Sequence, residues 1–337
     1  MGIAGLLLGS ALIVMAVLDA LGTTVRVSTP GGVIVRWLGQ GLWMLVTAID
    51  QRLPRPVLRY VAGPLITLAV TSSWIGLVVV GWFLVFSSSP TGLLTVPAQD
   101  PAGAWARLAY AMHAVFTLGG SSLEPATPLW DVLTGMAAGS GLFLVTLAIT
   151  YLMPLASAAS ERRRVARVLT ALGRRPCHLI ASAWDGVGFS ALENHLMTLT
   201  PQLAQLAEHH LTYPVLHYFH TSDPEAAIAP AVARLDDALL LLHDVVEPAV
   251  RPPAIVTGPA REAITAFLAT IPERFTTGDD EVPPPPDLDE LRAAGVPCRS
   301  PEVLRAAADE QSQRRRRLGG LVRHSGWDWR ASVDPAA

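Results

Sequence analysis

Three stretches of the chain are apolar for long enough to cross a bilayer. A spanning helix needs about 20 mostly apolar residues, because the hydrocarbon core is roughly 30 Å thick and each helical residue rises about 1.5 Å. Residues 3–21, 61–86 and 129–152 reach that length. A fourth stretch, 32–49, is interrupted by Arg36 and Gln40 and carries Trp37 and Trp43. Tryptophan favours the headgroup level, so this stretch reads as an interfacial helix. Residues 105–116 are too few to cross and predict a short helix dipping into the bilayer and returning, which is tolerated only where protein buries it or water surrounds it.

After residue 157 the pattern becomes amphipathic. Leu192, Leu196, Leu199, Leu203 and Leu206 are spaced by three and four, and Leu235, Leu239, Leu242 and Val246 repeat the spacing. Segments 191–210 and 228–246 therefore read as helices with one apolar face. A further helix is expected over 257–271, with Pro259 in its first turn. Pro176 should end the helix that leaves the third span through Arg162, Arg163 and Arg164. Pro283–Pro286, flanked by acids, reads as a polyproline-type linker. A short helix over 301–317 ends in Arg314–Arg317, a run that reads as solvated or as touching anionic lipid or an acidic partner. The last residues, 327–337, read as a flexible tail.

No alternating strand pattern with hairpin turns occurs downstream of the spans, so the fold class is an all-α membrane protein with a helical cytosolic domain. Four segments result: 1–60, a span and an interfacial helix; 61–156, two spans and the short helix between them; 157–275, the helical domain; and 276–337, linker and tail.

Composition and charge add orientation. The chain is 51% hydrophobic and 16% charged, against about a quarter charged in soluble proteins, which places it in the membrane class. The net charge of −3 gives no footprint for nucleic acid. Every basic residue is arginine. Arg26, Arg36, Arg52, Arg55 and Arg59 lie between the first two spans and Arg162, Arg163, Arg164 and Arg167 follow the third, whereas 87–128 carries only Arg107. Positive loops stay inside. The C-terminal region is thus expected in the cytosol and the N-terminus outside a cell membrane. The first span lacks a basic leader and reads as uncleaved. Asp19, inside it, is a functional candidate by default, with pairing to Arg26 as the plain reading. Cys177 and Cys298 read as reduced thiols.

Residues 117–129 read Thr-Leu-Gly-Gly-Ser-Ser-Leu-Glu-Pro-Ala-Thr-Pro-Leu. This resembles the selectivity filter and inner-helix start of the potassium-channel superfamily, where Thr-Val-Gly-Tyr-Gly-Asp precedes a Pro and then Thr-Pro-Leu. Thr117, Gly119, Pro125, Thr127, Pro128 and Leu129 fall in that frame without a gap. Gly120, Ser121 and Ser122 stand where the family has Tyr, Gly and Asp.

The resemblance covers roughly 60–153 and implies a pore domain whose short helix supports the filter. It implies that Thr117, Leu118, Gly119, Gly120 and Ser121 bind the permeant ion, that His113 lies behind the filter beside Ser122, and that Glu124 rings the outer mouth. A neutral imidazole bonded to Ser122 would brace the filter, and protonation near pH 6.5 would disturb that brace. Gly135, Gly139 and Gly141 fall where that family bends its inner helix, although close packing through small residues explains them equally. The implied assembly is a homotetramer in the lipid bilayer, with potassium or other monovalent cations as permeant ions, no cofactor, no bound metal and no enzymatic activity.

Filter glycines serve because successive carbonyls facing one axis require backbone angles that a Cβ resists. Ser121 in left-handed geometry costs about 1 kcal/mol, and the missing Tyr-Gly pair implies relaxed selectivity. The rival reading is a non-conducting scaffold or sensor that keeps the channel fold and signals through the helical domain.

Other clusters are less specific. His209, His210, His217 and His220, with His195 upstream, are dense in titratable groups. His217 and His220 would suit zinc or copper, but Pro214 interrupts the segment and no cysteine is near, so helix-surface histidines are expected. Gly186 and Gly188 lack the strand and third glycine of a nucleotide-binding loop. The pattern names no regulator of the cytosolic domain and no catalytic arrangement.

Overall fold

The computed structural model describes residues 2–25, 32–50, 52, 58–119, 122–276 and 281–333, and they divide into two compact units. One comprises 1–58 and 62–155, the other 59–61 and 156–337. The structure is mostly helical throughout, as the hydrophobic pattern requires.

In the first unit the helices are α1 (Gly2–Val25), α2 (Val33–Asp50), α3 (Leu58–Phe86), the short α4 (Ala104–Val115) and the first part of α5 (Pro128–Leu172). Four of these, α1, α2, α3 and α5, are long and apolar enough to cross a membrane. The segment expected at the interface therefore has the length of a span, with the lowest hydropathy of the four. Its Trp37 is 71% exposed. The side of the bilayer occupied by the N-terminus follows from whether α2 crosses, because each added span reverses it.

Two aspartates order the helix starts. Asp19 accepts the backbone N–H of Ile34, in the first turn of α2, at 2.9 Å. Asp50 accepts that of Leu58, the first residue of α3, at 3.1 Å. A carboxylate at a helix N-terminus satisfies an orphan donor and complements the helix dipole. Arg26, expected beside Asp19, lies outside the described residues.

The loop on either side of α4 holds two short strands that the sequence pattern did not suggest. β1 (Leu93–Thr95) and β2 (Leu123–Pro125) run antiparallel, with Leu94 opposite Glu124. α5 begins at Pro128 and continues as one helix to Leu172, well past the apolar run, carrying Pro154 inside it.

The second unit packs α6 (Pro176–Ala183), α7 (Ser190–Thr212), α9 (Ala254–Thr270), α10 (Asp289–Ala293), α11 (Pro301–Glu310), α12 (Ser312–His324) and α13 (Trp329–Ser332) with α8 (Ile228–Leu240) and the end of α5. Pro176 does not end a helix directly; α5 stops at Leu172 and the proline opens α6, where its missing N–H is harmless. The 191–210, 228–246 and 257–271 expectations correspond to α7, α8 with a following π-type turn at Leu241–Val245, and α9.

Every residue of α8 is buried, including Arg234, Asp236 and Asp237. Buried charges call for partners, and those of the two carboxylates come from the segment expected to be a linker and tail. Arg315 forms an ion pair with Asp237, and Arg314 donates to both carboxylate oxygens of Asp236 at 3.0 Å. Arg317 donates to the Leu268 carbonyl at 2.8 Å. Leu318, Val322 and Trp329 are buried. The expectation of a solvated arginine run and a flexible 327–337 tail is thereby corrected for the described residues: α11 to α13 belong to the core of this unit. The cause is electrostatic, since α8 can be buried on all sides only if something neutralises its carboxylates.

Candidate functional site

α4 is twelve residues long, about 18 Å by helical rise, and so cannot cross. Its buried face is Arg107, Tyr110, Ala111 and Val115, spaced by three and four. Arg107, the lone arginine of the 87–128 connection, donates through Nη2 to the Pro90 carbonyl at 2.6 Å. Tyr110 shares a hydrogen bond of 2.8 Å with Thr134 of α5, and its ring meets Phe86 of α3 edge-on at 5.2 Å. Tyr110 thus holds α4 against both long helices, and Arg107 ties it to the loop that follows α3. The sequence reading used Arg107 only for orientation and passed over Tyr110; the signal was two polar residues on an otherwise apolar face.

α4 ends in a paired turn. The N–H of Thr117 reaches the Ala114 carbonyl at 3.0 Å, and that of Leu118 reaches the His113 carbonyl at 2.9 Å. This is a Schellman ending, whose left-handed position is usually glycine. Here it is Thr117, with φ of 55°. A β-branched residue there is an outlier, because its side chain crowds the backbone. Gly119 follows at φ 65°, in the left-handed region expected of the first filter glycine.

His113 and Gly119 meet. The imidazole Nδ1 lies 3.1 Å from the Gly119 carbonyl, so the nitrogen carries the proton and donates. The expected partner, Ser122, is placed differently: its carbonyl accepts the Val96 N–H at 3.0 Å. The reason is chain direction, since β2 draws residue 122 towards β1. Tyr110, His113, Thr117, Gly119, Thr134 and Ala138 line a groove of about 400 Å³. Thr117, Leu118, Gly119, Ser122 and Glu124 are exposed, and Leu118 is 69% exposed. Gly120 and Ser121 lie outside the described residues.

The inner-helix glycines divide. A Cβ on Gly141 would lie 1.8 Å from the Val115 carbonyl oxygen, whereas Gly135 and Gly139 face open space. Gly141 is where the end of α4 rests on α5, a packing role. Trp82 of α3 donates to the neighbouring Ser140 hydroxyl at 2.9 Å.

In the second unit three of the histidines expected on helix surfaces, His210, His217 and His220, turn inward, while His209 is half-buried and His195 exposed. His210, His217, His220 and His324 line a small cavity of about 30 Å³ with Arg162 and Phe275. The His210 and His217 rings are 5.1 Å apart, and His217 stacks on Phe275 at 5.2 Å. Arg162 donates to the Leu216 carbonyl at 2.7 Å and also to that of Phe219. Burial, then the Arg162 charge, holds His210 down at about 3. Burial likewise holds His220 and His324 at about 4 and His217 well below its ordinary value. Leu216, Phe219 and Phe275 are apolar in sequence and gave no sign of this inward turn. Among the described residues no group of three His, Cys, Asp or Glu side chains is arranged to hold a metal ion.

No family model matches the chain, and no solved structure matches it. It is 29% identical over 327 residues to the uncharacterized membrane protein YdjJ of Bacillus subtilis (strain 168), covering 97% of this chain and 94% of the other. With four helices of spanning length and apolarity and a full-length likeness to a protein so described, the chain is a helical membrane protein related to YdjJ.

Proposed function

We propose that the first unit is one quarter of a pore, and that four copies assemble to conduct monovalent cations, potassium among them, with relaxed selectivity. The observation that carries this reading is the backbone at 117–119. Thr117 and Gly119, two residues apart, are both left-handed, and alternation of that kind lets neighbouring carbonyls face one side. A strained threonine is kept only where surrounding structure over-determines it, and such strain gathers at functional positions. A helix too short to span, a return segment and a long following helix supply the remaining parts of a pore loop. One loop per chain requires rotational assembly around an axis. The second unit follows from α5 and is assigned to the cytosol, because Arg162, Arg163, Arg164 and Arg167 follow the last apolar run. No enzymatic role is assigned to either unit.

A second reading is favoured by one contact. A conducting ring needs the Gly119 carbonyl on the axis, and His113 holds it. In that reading the protein is a non-conducting sensor that signals through its second unit. Purified protein in liposomes, loaded with a potassium-sensitive dye, separates the two. The channel reading expects flux with a low potassium-to-sodium ratio, raised by Gly120→Tyr with Ser121→Gly. Absence of flux from a protein shown to be tetrameric in native lipid would leave the sensor.

A further inference from the structure

The second unit carries a cavity of about 540 Å³ whose lining is mostly basic, with Glu225 as its one acid. α5 contributes Arg167 and Thr170, the turn into α6 contributes Arg174 and Arg175, and α6 contributes His178. The volume falls within the range of small-molecule sites, roughly 300–1,000 Å³.

The charges around it do not balance. Arg167 pairs with Asp223 at 3.0 Å, Arg174 with Glu225 at 2.6 Å and Arg175 with Glu290 at 3.3 Å. A fourth guanidinium adjoins them. Arg234 is 5% exposed and donates to the Thr170 hydroxyl at 2.6 Å and to the Ser332 carbonyl at 2.8 Å. Its Nε is buried without a partner, and no carboxylate among the described residues pairs with it. A buried cation with only neutral acceptors favours an anion nearby. Burial, then the charge of Arg174, pulls the Arg234 guanidinium down to about 10.

The arginines at the rim are free to turn. The side chains of the Arg167–Asp223 pair are 57% and 41% exposed, and those of Arg174–Glu225 are 73% and 54% exposed. Exposed pairs contribute little, so a stronger acceptor displaces the carboxylates readily. Guanidinium forks match phosphate oxygens two at a time. Thr170 accepts from Arg234 and keeps its own O–H to donate.

We propose that this cavity binds a phosphate-ester anion, gripped by Arg167, Arg174 and Arg175 and by the Thr170 hydroxyl, whose negative charge offsets that of Arg234. Two sources carry this chemistry, a soluble nucleotide and a phospholipid headgroup. The site stands on the second unit alone and does not depend on conduction by the first.

The test uses the full-length protein in neutral detergent. ATP and inorganic phosphate are titrated calorimetrically, and binding to phosphatidylcholine vesicles is compared with and without phosphatidylglycerol. Saturable ATP binding identifies a soluble source, and phosphatidylglycerol-dependent vesicle binding identifies a headgroup. Either is expected to weaken at least about tenfold in Arg174→Ala with Arg175→Ala. It should weaken to a smaller degree in the milder Arg174→Gln, and remain unchanged in Arg305→Ala, whose side chain is 68% exposed on the outer face of α11. The proposal is overturned if neither anion source binds, or if the Arg174 variants, folded by circular dichroism, bind as the parent does. Equal loss in Arg305→Ala overturns it too, as mere surface charge.

Discussion

The Asp19 carboxylate accepts the indole N–H of Trp74 at 2.9 Å, joining α1 to α3, while its other oxygen holds the Ile34 N–H at the start of α2. Trp74 is fully buried and Asp19 nearly so, so the indole N–H has no water as a substitute. Asp19→Ala should therefore lower stability by about 1–3 kcal/mol for each donor left without an acceptor. Asp19→Asn, which keeps one acceptor oxygen, should recover part of the loss. Thermal unfolding in detergent checks both. Equal midpoints for Asp19→Ala and the parent would mean that Asp19 does not organise these helices.

Strain at Thr117 gives a second expectation. Thr117→Gly removes the crowding of a left-handed β-branched residue, about 1–2 kcal/mol, less the added freedom of glycine when unfolded. The unfolding midpoint should rise while potassium flux in liposomes changes. A variant that is stabilised with flux untouched would remove the Thr117 side chain from the conduction path.

The inner-helix glycines separate packing from bending. Gly141→Ala should fail to seat α4, because its Cβ would lie 1.8 Å from the Val115 oxygen. The loss should appear as a lower midpoint and less assembled protein. Gly135→Ala and Gly139→Ala meet nothing, and alanine favours a helix by about 1 kcal/mol over glycine. These two should be as stable as the parent or more so. Reduced flux in Gly139→Ala alone, at full stability, would assign the bend to that position.

Acid should loosen the second unit through its histidines. His210 sits at about 3 when folded and at roughly 6.5 when unfolded. The unfolded chain then binds more protons below pH 6.5, so stability is greatest above that value and falls as pH drops towards 3. At pH 4.5 the loss from His210 is on the order of 3 kcal/mol, with His217, His220 and His324 acting in the same direction. Replacing His210 by Phe, which cannot take a proton, should flatten the dependence of the unfolding midpoint between pH 6.5 and 4.5. An unchanged slope would mean that water reaches these rings.

The Arg315–Asp237 pair, with both side chains almost wholly buried, sets a last expectation. Arg315→Ala removes the buried cation facing Asp237 and should cost about 3–5 kcal/mol. Arg315→Met with Asp237→Leu should recover most of that, since apolar replacement of a buried pair is often neutral. Chemical denaturation of the full chain, followed by circular dichroism, checks it.

Run length and period determined much from sequence alone. Long apolar runs placed α1, α3 and the apolar part of α5, and leucine spacing placed α7, α8 and α9, because both signals are local and repeat along a single helix. The brevity of the 105–116 stretch placed a short helix, and the frame at 117–129 placed a left-handed glycine at Gly119, since only local backbone chemistry was needed. Tertiary structure decided the rest. Arg315 and Asp237 are 78 residues apart, and a run of arginines looks solvated until a fully buried helix presents the acids it must neutralise. His220 and His324 are 104 apart, and histidines read as surface until apolar residues from several helices close over them. Thr117 is left-handed because two hydrogen bonds to the end of α4 hold it there, against its own preference. Charge pairing, burial and strain belong to neighbours in space, and a pattern along the chain carries no record of them.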